Sequence, residues 1–255
     1  ACGWHNGILS NPAWRKGYLM AKGKLYGIGT GPGDPELVTR KAWRLIQQSD
    51  IIAYLAPDDG PGFARGIVAD AIGHDVREII MRVPMRTGRA PAQSIYNDGA
   101  QQIAAYLDAG RDVVMLCEGD PLFYGSFMYI LARLRDDYPV EIIAGVTSVT
   151  ACAASQLHPL VARNDSLVVL PAPLPDDALR SRIELADAVA IMKLGRHMPR
   201  IRSLLISMGL SQKTLYVGHA SLANELRGTL DDAPDDAPYF SMLLIYKGDD
   251  PWIMR

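Results

Sequence analysis

Three times between residues 25 and 156 the chain runs from an apolar segment through a glycine-bearing turn into helical periodicity. The apolar segments are Leu25-Tyr26-Gly27-Ile28, Asp112–Cys117 and Val140–Ala144. Short, continuous apolar runs of this kind suit parallel strands covered on both faces. The turns that follow are Gly29–Gly33, Gly119–Gly125 and Gly145–Ser148. Strands alternating with helices specify an α/β fold with a mostly parallel sheet. In such a sheet the turns at the strands' carboxyl ends share one edge, and ligands bind there. The three turns therefore converge on one predicted site.

The same reading extends along the chain. Asp34 is placed to cap a helix that starts at Pro35, with Val38, Ala42 and Leu45 on one face. Ile51–Leu55 and Val76–Val83 read as strands, residues 57–66 as a loop and Ile67–Ile72 as a short helix. Pro84–Pro91 reads as a polar loop, and Ser94 as the cap of a helix that Gly110 ends. Phe127, Ile130, Leu131 and Leu134 mark another helix. After a connector carrying His158 and Arg163, strands are expected at Leu167–Leu170, Ala188–Met192, Thr214–Val217 and Met242–Tyr246. A helix follows Pro199, and residues 171–175 and 231–236 read as loops. Residues 1–23 show no periodicity and are expected to form a leader outside the fold.

Composition narrows the function classes. The chain has 255 residues, 49% of them hydrophobic and 21% charged, enough to build a full core without disulfides or metals. A net charge of -2, with no basic run, argues against a nucleic-acid partner. Three cysteines, Cys2, Cys117 and Cys152, are too few and too scattered for a disulfide framework or a zinc site. No apolar stretch is long enough for a membrane span, and no secretory signal precedes Lys24. The expected location is the cytoplasm.

The first turn fails the nucleotide-binding tests. Its glycines, at 27, 29, 31 and 33, do not give the G-x-G-x-x-G spacing, and Asp34 and Glu36 at the helix start would repel phosphate. No P-loop sequence is present either. In the second turn, Asp120 precedes a proline and is held extended. It is suited either to accept hydrogen bonds from a ligand or to cap the next helix.

Taken in order, these segments resemble the tetrapyrrole methylase family. Its first motif matches Gly27–Thr39, its second Glu118–Ser126, and its third Gly145–Ser148 followed by Ala151. Ala190–Leu194 matches a segment of the second domain. The resemblance covers about residues 24–248. Ala144 stands where many relatives have proline. Cys117–Met128 and Arg82–Arg86 are most similar to the subgroup acting at C-20 of precorrin-2.

The resemblance implies two α/β domains, 24–162 and 163–255, with a cleft between them, and a homodimer. It implies S-adenosyl-L-methionine as methyl donor, no metal, and a tetrapyrrole acceptor: precorrin-2 or its cobalt-loaded counterpart methylated at C-20, or alternatively a tetrapyrrole methylated at another ring position. By position, donor contacts fall to Pro32, Gly119, Asp120, Phe123, Thr147, Ser148, Met192 and Ala220. The methylated carbon must lose a proton, for which Tyr124, Glu118 and His158 are candidate acceptors. Arg82, Arg86, Arg89 and Arg163 are candidates to pair with the macrocycle's carboxylates, because arginine binds them bidentately. His74, His197 and His219 lack metal-ligand spacing.

Overall fold

The computed structural model describes residues 21–83 and 89–248. The first sheet is parallel throughout, in the order β3-β2-β4-β1-β5. Its strands are β1 (Leu25–Gly29), β2 (Ile51–Ala56), β3 (Arg77–Arg82), β4 (Val113–Cys117) and β5 (Val140–Ile143). Alternation along β4 shows how both faces are used. Val113, Met115 and Cys117 pack with the helices α3 (Arg89–Asp108) and α4 (Phe127–Leu134). Val114 and Leu116 pack on the other face, with α1 (Arg40–Gln47) and α2 (Phe63–Ile67). Every residue of β4 is buried, as its unbroken apolar run predicts.

The second sheet is mixed, in the order β6-β7-β10-β8-β9. Here β6 (Leu167–Pro171) and β7 (Ala188–Met192) are parallel, while β10 (Ser241–Tyr246) runs antiparallel to β7 and to β8 (Thr214–Gly218). The edge strand β9 (Leu226–Thr229) pairs with β8. One face of this sheet is covered by α6 (Asp176–Leu185) and α7 (Met198–Ser207). The other face is covered by α5 (Ser148–Ser155), which follows directly from the first sheet. Val149, Ala151, Cys152 and Ala153 of α5 pack against Ala190, Val217, Met242 and Leu244. The small side chains of this helix suit close approach to a sheet.

Several elements depart from the sequence reading. Asp34 does cap, its Oδ1 accepting from the Glu36 N–H at 2.8 Å, but what starts there is one 3-10 turn, Pro35–Leu37. The α-helix begins after a second cap, Thr39, whose hydroxyl accepts from the Ala42 N–H. Phe63–Ile67 is helical within the expected loop because Ala64 and Ile67 fall on one buried face, and Ala69–Ala71 forms only a 3-10 turn. Ser94 lies inside α3, which begins at Arg89 because Pro91 needs no hydrogen-bond partner in a first turn. The helix α6 follows a proline-rich loop that hides its start in the sequence; Asp176 and Asp177 favour its amino end, and Leu179 and Ile183 form its buried face. Four-residue β9 is mostly exposed and has no alternation to reveal it. Residues 1–20 lie outside the described residues; Gly23, read as part of the leader, is buried, its N–H bonded to the Leu107 carbonyl.

Candidate functional site

Because β4, β1 and β5 are neighbours, the turns leaving their carboxyl ends lie side by side. They are also bonded to one another. Gly31 and Gly119 exchange both backbone bonds, Gly119 N–H to the Gly31 oxygen at 2.8 Å and Gly31 N–H to the Gly119 oxygen at 3.2 Å. Buried Thr30 donates its N–H and hydroxyl to the Cys117 carbonyl, at 2.9 and 3.2 Å. Asp120 joins the second turn to the third. Its Oδ2 accepts from the Gly145 N–H at 3.0 Å, and its Oδ1 from the Leu122 N–H at 2.9 Å. The turns approach so closely that a Cβ on Gly29 would stand 2.5 Å from the Gly119 oxygen, and one on Gly145 would strike the same atom. Glycine at both positions is therefore a packing requirement.

The second half of the chain faces this edge. Met192 ends β7, and Ala220 lies just beyond β8. Phe123 and Met192 pack against the cluster that holds Ala220. Asp34 donates its N–H to the Ser221 hydroxyl at 3.1 Å, and Tyr124 donates its hydroxyl to the Val169 carbonyl at 3.4 Å. Phe63, at the start of α2, stacks on Phe240 with ring centroids 4.6 Å apart. Among the described residues six non-glycine residues adopt left-handed backbone, and four of them, Tyr124, Lys193, His219 and Ser221, belong to segments at this edge. Such strain gathers where a fold holds functional backbone in place. The Lys193 ammonium lies 5.4 Å from the centre of the Tyr124 ring.

Pro32, Gly119, Asp120, Phe123, Thr147 and Ser148 thus sit on the three turns, and Met192 and Ala220 at the facing end of the second sheet, where Phe123 and Met192 pack against the cluster that holds Ala220. Thr147 caps α5, its hydroxyl accepting from the Thr150 N–H. Asp120 has both carboxylate oxygens engaged by backbone, so it braces the turns.

The three candidate proton acceptors separate. Glu118 follows β4 directly, immediately before Gly119. Burial pushes its carboxyl pKa up, and backbone bonds from Glu118 and Ala64 oppose that rise. Tyr239 and Tyr96 are raised first by burial and further by the Glu118 charge, Tyr96 to about 12. Tyr124 is on the rim and exposed. His158 is elsewhere. Its Nδ1 is 2.7 Å from the Pro159 oxygen and its ring lies edge-on to Tyr246. Tyr246 opposes Ala188, at the far end of β7 from Met192, a strand length of about 13 Å.

Among the arginines, Arg82 ends β3 at the correct edge, but its guanidinium holds the carbonyls of Pro57, Asp58 and Gly60. Arg163 belongs to a connector fixed at the far end, where Asp165 accepts from the Tyr246 hydroxyl at 2.8 Å. Arg89 begins α3, and Arg86 lies outside the described residues. Ser221, Tyr239 and Phe240 were not singled out from the sequence. A left-handed serine or an inter-domain aromatic leaves no local pattern to find.

A doubly covered parallel sheet whose strand-end turns face a second, mixed sheet defines a class, and the chain belongs to the tetrapyrrole (corrin/porphyrin) methylases, whose family model matches residues 24–234. Among its relatives, the precorrin-2 C(20)-methyltransferase of Sinorhizobium sp is 39% identical, over 88% of this chain and 95% of that protein. The cobalt-precorrin-2 C(20)-methyltransferase of Salmonella typhimurium is 32% identical, over 88% of this chain and 97% of that one. The fold is shared with the uroporphyrin-III C-methyl transferase of Thermus thermophilus complexed with S-adenyl homocysteine, at a TM-score of 0.63 and 21% identity, covering 88% of this chain and 92% of that one.

Proposed function

We propose that this chain transfers a methyl group from S-adenosylmethionine to C-20 of precorrin-2 in cobalamin biosynthesis. The observation that carries the reading is the bonding of three strand-end turns into one rim opposite Met192 and Ala220. The rim offers backbone groups and small or apolar side chains, which suit close contact with a compact, charged donor. The relatives' named activities support the acceptor and the ring position, and the ligand in the Thermus structure supports the donor.

The donor supplies a methyl already activated by a positive sulfur. The chain's own work is alignment, and proximity and orientation provide roughly 7–11 kcal/mol in such reactions. Pro32, Gly119, Phe123, Thr147 and Ser148 hold the donor from the first sheet, and Met192 and Ala220 close on it from the second. Asp120 fixes the spacing of the turns. Glu118, half-buried just beyond β4, is the favoured acceptor for the proton released at the methylated carbon. Arg82, at the same edge, is the favoured described partner for a substrate carboxylate.

Incubation with precorrin-2 and labelled donor, followed by mass and NMR analysis of the product, tests the reaction. A methyl at another ring position, or on no tetrapyrrole, would reject it. The Salmonella relative favours one second reading, the same methylation of the cobalt-loaded ring, and parallel assays of both substrates separate the two. We further propose a homodimer, which light scattering of the purified protein tests, and a cytoplasmic location, which cell fractionation tests.

A further inference from the structure

Ala220 stands between two left-handed residues, His219 (φ 53°) and Ser221 (φ 64°). Neither is glycine, so this segment is strained and persists only because its surroundings over-determine it. The His219 N–H is bonded to the Phe240 carbonyl at 2.8 Å, and the Leu222 N–H to the His219 carbonyl at 3.0 Å. The bond at Ser221 comes from a side chain outside every motif described above. Glu225 Oε2 accepts the Ser221 N–H at 2.6 Å. Its Oε1 accepts from the Ser155 hydroxyl at 2.7 Å, at the last residue of α5. The Arg227 guanidinium stands 3.8 Å from that same oxygen. Ser221 in turn accepts the Asp34 N–H through its hydroxyl at 3.1 Å, which ties the segment to the first glycine turn.

One carboxylate thus joins three elements of the fold: the end of α5, the strained segment after β8, and, through Ser221, the first turn. A carboxylate suits this place because it only accepts, and its two oxygens serve donors from different elements. The Glu225 side chain is 21% exposed, and partial burial strengthens such bonds.

We propose that Glu225 is a positioning residue of the methyl-donor site, holding Ser221 left-handed so that Ala220 faces the joined turns. The proposal rests on the reading of that edge as the donor site. It touches no reacting atom, and it acts on donor affinity through the backbone of residues 219–221.

The test is calorimetric titration of the full chain with S-adenosylhomocysteine, alongside steady-state kinetics and thermal midpoints. Glu225→Ala should weaken S-adenosylhomocysteine by roughly tenfold, the effect of losing one charge-assisted bond. KM for the donor should rise similarly, with kcat and the tetrapyrrole KM nearly unchanged. Glu225→Gln keeps a carbonyl oxygen for the Ser221 N–H and should recover most of the affinity. Ser155→Ala removes only the other bond and should bind as wild type. If Glu225→Ala does not fold, Glu225→Asp, one methylene short of Ser221, should show the same selective loss with a native circular-dichroism spectrum. Wild-type donor affinity in Glu225→Ala or Glu225→Asp would overturn the proposal. So would a uniform loss of donor affinity, tetrapyrrole affinity and stability that Glu225→Gln does not rescue. Failure of the wild-type chain to bind S-adenosylhomocysteine would instead reject the donor-site reading, and this proposal with it.

Discussion

Asp120 spans two turns with one carboxylate. Its two oxygens take N–H groups from Gly145 and Leu122, so the carboxylate sets the gap between the second and third turns. Asp120→Ala leaves both N–H groups without that partner, and the expected cost is about 1–3 kcal/mol in stability, read from denaturant unfolding. Donor affinity should fall with it. Asp120→Asn keeps one acceptor and should lose less. Glu118 makes a different prediction. Its pKa is raised by burial, so the neutral acid persists above the ordinary carboxylate range. Stability from the raised pKa is fully present below the unfolded-state value and fades as pH climbs through the folded one. Activity moves the other way, because a proton acceptor must be ionised. The acidic limb of kcat/KM against pH should therefore lie above the usual carboxylate region. Glu118→Gln should abolish that limb and lower the rate by about a hundredfold. An unchanged profile in Glu118→Gln would remove Glu118 from the mechanism.

At the scale of elements, the most constrained piece is α5. Its buried face is Val149, Ala151, Cys152 and Ala153, set against Ala190, Val217, Met242 and Leu244. Cys152 is 2% exposed, and burial pushes its thiol up to about 12. Cys152→Leu should overpack the seam and cost about 1–3 kcal/mol, measured by chemical denaturation. Elements of this first half were legible where burial imposed a pattern. The β4 run and the 127–134 helix could be read directly, because a doubly covered strand and a one-sided helix each leave a distinct spacing. The glycine turns were legible for the same reason, since only glycine permits their mutual contact. What could not be read was which sheet α5 would cover. Small residues mark close packing but name no partner. The helix start at Arg89 and the strand β9 were equally silent, one set by a proline's missing donor and the other by pairing alone.

Over the whole molecule, an aromatic contact supplements the α5 seam between the halves. The Phe63–Phe240 stack joins α2 to the segment before β10 near Tyr239, which senses the Glu118 charge. A double-mutant cycle with Phe63→Ala and Phe240→Ala should give a coupling of about 0.5–1.5 kcal/mol. Additive losses would show that the rings meet without mutual support. None of these long-range contacts was visible in the sequence. His158 and Arg163 show the same limit from the other side, since their connector is bonded at the opposite end of the second sheet.

The placement of α5 has a consequence for any attempt to divide this protein. Severing the backbone after residue 162 would send that helix away with the first fragment. The piece 163–255 would then keep its α6 and α7 cover but bare Val217, Met242 and Leu244 to water, a surface that invites aggregation. Expressed alone it should precipitate, and mixing it with 21–162 should restore solubility through reassembly.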